Sequence, residues 1–284
     1  MTFAPAAADY LPIVSTIEVV NAPSFSSLVF QRENKAARRK ASDKVLAVFA
    51  DPIFQEDDER FSVNKSANPK NTSEIKDISE NLTQALRDFG LERLGRLPFS
   101  GMEAQAIGKF APDQTFLALG ADASRQNFLS GNFNSYRILH FATHGFLNQQ
   151  NPELSGLVLS LYDHEGKAQN GFLRVIDLYS LHLNSELVVL SACQTALGKE
   201  IDGEGIVGLT RGFMYAGAAG VVSSLWKVED AATAELMKIF YREMLQENQT
   251  PSTALRIAQN ELRKIPRYRN PRFWSGFTLN GDWR

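Results

Sequence analysis

The run Leu187-Val188-Val189-Leu190, closed by Ser191-Ala192 and the single cysteine of the chain, Cys193, constrains the fold more than any other stretch. A short apolar segment ended by small and polar residues is the pattern of a strand buried on both faces of a parallel sheet. Ile138-Leu139-His140-Phe141-Ala142 has the same form and runs into Thr143, His144 and Gly145. If both strands are parallel members of one sheet, their carboxyl ends share a rim, and adjacent strands lie about 4.8 Å apart. A thiol and an imidazole would then meet.

The same kind of segment recurs along the chain. Val45 to Ala50 predicts the first central strand, stopped by Asp51-Pro52, and Thr115 to Leu119, Gly156 to Leu161, Gly220 to Leu225 and Phe277 to Leu279 predict others, with Ile13 to Val20 at an edge. Helical spacing predicts helices over Ser24 to Arg39, Ile75 to Phe89, Asp122 to Leu129, Gly205 to Ala216 and Asp230 to Gln246. Ser100-Gly101-Met102-Glu103 has the form of a capping box opening a helix to Phe110, and Thr250-Pro251 opens the last helix with proline at its first position. Met1 to Tyr10 reads as a loose end or linker stub, and Glu56 to Asn71 as a polar surface loop. Strand and helix in alternation predict an open, mostly parallel sheet covered on both faces, with its chemistry at the carboxyl ends of the strands.

Composition narrows the function. With 284 residues, 44% of them hydrophobic, the chain can bury one large α/β core or two smaller ones. Thirty basic and 32 acidic residues leave a formal charge of -2, which gives no electrostatic ground for binding nucleic acid or a membrane surface. One cysteine cannot form an internal disulfide, so a reducing cytoplasm is the expected setting. No apolar run approaches the roughly 18 residues of a membrane span, and Met1 to Asp9 lacks the features of a signal peptide. No Gly-rich phosphate loop is present, and no cofactor is expected.

The candidate chemistry is acyl transfer. A thiol at its free pKa is only a few per cent thiolate at neutral pH, so a nucleophilic cysteine needs a base beside it, and His144 is the candidate. Gly145, whose N–H is unobstructed by a side chain, and the backbone N–H of Cys193 are candidate donors to an oxyanion. The opposing reading, a cysteine that packs as a small buried hydrophobe, stays open on composition alone. His140 reads as a packed histidine that hydrogen-bonds locally. His140 and His144 as a metal pair would stand about 13 Å apart along a strand, too far for one ion, so no metal is expected. His164 and His182 fall in polar turns.

Leu139-His140-Phe141-Ala142-Thr143-His144-Gly145, Val188 through Gly198, Gly203-Glu204-Gly205 with Gly208-Leu209, and Ser223-Ser224-Leu225-Trp226-Lys227-Val228 together resemble the CHAT family, from about Val45 to Trp283. Four motifs in the expected order carry the likeness. The caspase cysteine signature itself is absent, although the separation, 193 − 144 = 49 residues, is close to the roughly 50 of caspases. The resemblance implies a three-layer α/β/α caspase-like fold related to caspases, separases and gingipains. It implies one CHAT domain over residues 1–284, with 1–44 a possible extension. It also implies a cysteine endopeptidase with His144 and Cys193 as its dyad and Gly145 and Cys193 as its oxyanion donors.

By the same likeness Trp226 would line the substrate cleft, and Lys227 to Asp230 would flank the first specificity pocket. Separases and gingipains prefer a basic residue before the cut, and such a residue needs a carboxylate, for which Asp51 and Asp230 are the candidates. A turn-forming role for either aspartate stays open. The implied partners are a protein or peptide substrate and a tetratricopeptide-repeat or other regulatory partner. Glu56 to Asn71 and Gly198 to Glu204 are plausible processing sites. The alternative from a different class is a catalytically silent regulatory or scaffolding domain.

Overall fold

The computed structural model describes residues 11–22, 24–33, 43–61, 93–146, 155–191, 193–194 and 204–282, and for 27, 30, 31, 193, 194 and 204–207 it gives the backbone. The predicted helix over Ile75 to Phe89 lies outside these residues. So do Met1 to Tyr10, the basic group Arg38-Arg39-Lys40, most of the expected loops at Glu56 to Asn71 and Gly198 to Glu204, and Trp283.

Buried strands alternate with helices as the pattern predicts. The strands are β1 (Val20–Asn21), β2 (Lys44–Ala50), β3 (Thr115–Leu119), β4 (Tyr136–Ala142), β5 (His144–Phe146), β6 (Gly156–Val158), β7 (Phe172–Arg174), β8 (Leu187–Leu190), β9 (Cys193–Gln194), β10 (Gly220–Ser224) and β11 (Phe277–Gly281). The helices are α1 (Phe25–Glu33), α2 (Pro98–Gly108), α3 (Arg125–Ser130), α4 (Val175–Leu178), α5 (Glu204–Tyr215), α6 (Asp230–Leu245) and α7 (Pro251–Leu262). Seven strands form one sheet in the order β1-β11-β10-β8-β4-β2-β3, parallel except where β10 meets β11.

Successive side chains of a strand point to opposite faces, and both faces of this sheet are apolar. On one face Leu46, Val48, Ile138, Val189 and Val222 pack with Ile107 of α2, Leu236 and Phe240 of α6, and Leu255 of α7. On the other, Phe49, Leu139, Phe141, Val188 and Val221 pack with Phe128 of α3, Leu178 of α4 and Phe213 of α5. The result is a three-layer α/β/α arrangement with a mostly parallel central sheet. Phe49 and Phe141, neighbours on β2 and β4, stack at 5.4 Å, and Phe128 closes on Phe141 edge-on at 5.1 Å, an arrangement that favours the ring quadrupoles.

Two local expectations are corrected. Ile13 to Val20 is not a strand: Ile13–Ser15 forms a single 3-10 turn, and only Val20–Asn21 pairs, in parallel with Leu279 and Asn280. Its irregular part is held by side chains instead, Glu18 accepting hydrogen bonds from the Ser252 and Thr253 hydroxyls (2.6 Å each) and Asn260 donating to the Val14 carbonyl (2.7 Å). Nor does Ser100 cap a helix. Pro98 occupies the start of α2, so Leu97 is the N-cap and Ser100 lies inside the first turn, where its hydroxyl accepts from the Asp51 N–H (3.0 Å) and donates to the Leu97 carbonyl (2.7 Å). Glu103 turns into the core.

Candidate active site

The rim of the sheet is built by two strands that leave it together. β4 and β8 run parallel with Ile138 opposite Leu187 and Phe141 opposite Leu190, and beyond them β5 and β9 continue side by side with His144 opposite Cys193 and Gly145 opposite Gln194. The offset is the same in both ladders, since 190 − 141 and 193 − 144 are each 49. The pairing that orders the core therefore carries through to the rim. There β5, β6, β7 and β9 form a second, four-stranded sheet in the order β7-β6-β5-β9. The Cα atoms of His144 and Cys193 are register partners, about 5 Å apart as in any adjacent strands.

The imidazole of His144 is buried, only 6% exposed, and its Nε2 lies 2.7 Å from the carbonyl oxygen of Gly95. A carbonyl can only accept, so Nε2 carries the proton and donates, which leaves Nδ1 as the basic nitrogen of the neutral ring. Among the described residues Nδ1 finds no hydrogen-bond partner. The ring of Phe54 packs on the imidazole at 4.9 Å. Burial holds the His144 pKa below its ordinary value, the Gly95 carbonyl opposes that shift, and the nearby charge of Lys227 adds to it. The imidazole is accordingly neutral at neutral pH.

His140, four residues earlier, faces the opposite way from any such role. It is fully buried, with Nδ1 at 3.0 Å from the Tyr241 hydroxyl of α6 and Nε2 at 2.8 Å from Glu103 of α2. The Glu103 contact lies within ion-pair distance without the alignment of a hydrogen bond. Its partners are distant in sequence, which corrects the expected local bonding. Burial, with the charge of Glu103, raises the Tyr241 pKa well above its ordinary value. His164 is exposed and meets Asp122 at 2.9 Å, and His182 is exposed.

The two aspartates differ. Asp51 ends β2 in the left-handed region (φ 47), and both carboxylate oxygens are held by Arg96, from Nε and Nη2 at 2.9 Å each, with Arg60 at 3.2 Å. Its charge is matched within the chain. Asp230 opens α6 and accepts from the Phe99 N–H at 3.1 Å, bridging the first turns of α2 and α6. Among the described residues no cation pairs with it, and burial, reinforced by the negative charges of Glu103 and Asp51, pushes its pKa up to about 6. Trp226 stands on the same rim beyond β10, its indole donating to the Arg272 carbonyl at 3.0 Å and lying against Gly276.

Gly145 is built into the small sheet between Leu157 and Gln194. The segment Arg93 to Leu97 gave no sequence signal beyond its glycine and the proline that follows it, yet it delivers the carbonyl on His144 and the guanidinium on Asp51. It also borders a cleft of about 240 Å³ lined by Phe54, Gln55, Asp58, Glu59 and Arg96. A buried carboxylate at a strand end demands a counter-ion, and that demand was the one available clue to Arg96.

The sequence profile of the CHAT domain matches residues 5–282. The chain belongs to the CHAT family. Tetratricopeptide repeat protein 28 of Mus musculus is 38% identical over 110 residues, 39% of this chain and 4% of that protein, and the Homo sapiens protein is 34% identical over 114 residues, 40% and 4% respectively. This CHAT chain thus spans a small fraction of those curated relatives. Among solved structures, the Arg-specific cysteine proteinase gingipain R is 9% identical with a TM-score of 0.48, covering 88% of this chain and 51% of that one. The Saccharomyces cerevisiae separase in complex with securin is 11% identical with a TM-score of 0.46, covering 94% and 14%. Among the described residues no helix of the CHAT chain is long and apolar enough to cross a membrane.

Proposed function

We propose that this CHAT domain is a cysteine endopeptidase in which His144 and Cys193 form the dyad and the residue before the cut is basic. One observation carries the reading: the continuous register that sets His144 opposite Cys193, with Nε2 of the imidazole held by a carbonyl and Nδ1 left as the base. Nδ1 takes the Cys193 proton as the sulfur attacks the peptide carbonyl carbon. The backbone at Gly145 and Cys193 supplies the oxyanion donors. The imidazolium, stabilised by the Gly95 carbonyl, then protonates the leaving amine as the C–N bond breaks. Water, deprotonated by the same nitrogen, hydrolyses the thioester, releasing the new carboxyl terminus and the thiol. A depressed histidine pKa suits a base that is neutral at rest.

For the basic side chain Asp230 is the stronger candidate, because Arg96 and Arg60 already neutralise Asp51. Trp226 forms a wall beside it. The test combines a thiol-directed covalent probe with fluorogenic peptides ending in lysine or arginine. Wild-type protein should be labelled at Cys193 and release dye, and Cys193→Ala should do neither while melting at an unchanged temperature. Cleavage retained by Cys193→Ala would refute the dyad. Absence of both labelling and turnover in the wild type would instead favour a silent binding domain.

A further inference from the structure

We propose that Arg96 is a positioning residue for His144: its two-point salt bridge to Asp51 fixes the Gly95 carbonyl against Nε2 and so sets which ring nitrogen is free to act. The inference rests on the endopeptidase reading for its catalytic consequence, but not for its geometry.

Gly95 has no grip of its own. A Cβ built there would meet nothing within 4 Å, so no packing from that side fixes the carbonyl. Its position is inherited from its neighbours. On one side Leu94, 3% exposed, is set in a small apolar cluster with Phe54, Phe146, Val158 and Phe172, and its carbonyl accepts from the Gln55 amide at 2.6 Å. On the other, Arg96 delivers its planar fork to both oxygens of Asp51 and a third contact to Glu59. The Arg93–Asp57 pair is exposed on both sides and adds little.

Asp51 is itself immobilised, which makes it an effective anchor. Its N–H donates to Ser100, its carbonyl accepts from Arg60 at 2.8 Å and from the Gly120 N–H at 3.2 Å, and α2 approaches so closely that a Cβ at Gly101 would lie 3.2 Å from it. A non-glycine residue persists at positive φ only where the surroundings over-determine it, and these contacts do so. Asp51 follows Ala50, and Ala50 is the register partner of Ala142, two residues before His144. The contacts therefore close a ring: end of β2, Asp51, Arg96, Gly95, His144, end of β4, and back across the ladder. A fork that bonds both oxygens resists rotation, which a lysine ammonium in the same place would not.

The decisive measurement is ¹⁵N NMR of the His144 ring, which reports the tautomer whether or not the protein cleaves anything. It is paired with the pH profile of Cys193 alkylation by iodoacetamide. Wild type should show the Nε2–H form alone. Arg96→Lys and Arg96→Gln, checked for unchanged circular dichroism, should show mixed tautomers, a displaced alkylation profile, and kcat lowered on the order of tenfold to a hundredfold with KM little changed. Should Arg96→Gln fail to fold, the half-exposed position tolerates Arg96→Lys, which keeps the charge and loses only the fork. A folded Arg96→Lys or Arg96→Gln with the wild-type tautomer and profile overturns the proposal. Tautomer mixing in a chain that never labels at Cys193 would uphold the positioning role and sink the peptidase reading.

Discussion

His140 and His144 sit on one continuous stretch of chain and meet opposite fates, decided by what each finds across the sheet. His140 points between α2 and α6, where a carboxylate and a phenol wait in the core. Removing one member of such a buried pair leaves the other uncompensated, so His140→Phe should lower stability by about 3 kcal/mol or more, measured as a fall in urea midpoint. The double variant Glu103→Leu/His140→Phe should recover most of it. Asp230 carries a prediction of opposite sign. Its carboxyl titrates near 6 in the folded chain against about 3.9 unfolded, so folding favours the protonated form, and the penalty for ionisation is complete above pH 6 and absent below about pH 4. Asp230→Asn should therefore melt higher than wild type at pH 8, with the difference gone at pH 4. In wild type, KM for an arginine peptide should fall as pH rises through 6, and in Asp230→Asn that dependence should vanish.

The central strands were legible because burial on both faces leaves an unbroken apolar run, and β2, β3, β8 and β10 begin and end within a residue of where the pattern puts them, with β4 starting two residues earlier. The start of α2 was misread because a capping box and a first-turn serine share one sequence, and only Pro98 distinguishes them. Ser100 is consequently an element-to-strand clamp. Ser100→Ala should leave helix content unchanged and orphan the buried Asp51 N–H, at a cost of about 1–3 kcal/mol in chemical denaturation. The segment Arg93 to Leu97 was illegible for a different reason. It has no periodicity, and each of its useful contacts reaches a residue more than thirty positions away, a kind of information that spacing rules do not hold.

At the scale of the whole molecule, the stretch from Leu11 to Glu33 covers what would otherwise be a bare sheet edge. β1 pairs with β11, Val14 enters the core, and Glu18 and Arg32 tie the stretch to α7 and Asp282. An uncovered edge is a template for pairing with another chain. A variant beginning at Ala22 should therefore self-associate more strongly than the intact chain, read by light scattering behind size exclusion. The same stretch leaves Leu11, Ile13, Ile17, Val19 and Phe25 half or more exposed.

The shared offset of the two ladders makes the backbone spacing of His144 and Cys193 a matter of residue count rather than of side-chain fit. Substitutions around the rim can drift while these two positions keep step. Deleting one residue between Phe141 and His144, or between Leu190 and Cys193, has no such latitude, because a strand alternates direction at every position and the displaced group would swing to the wrong face. Chain length between the core and the rim is thus the quantity the proposed dyad would be least able to vary.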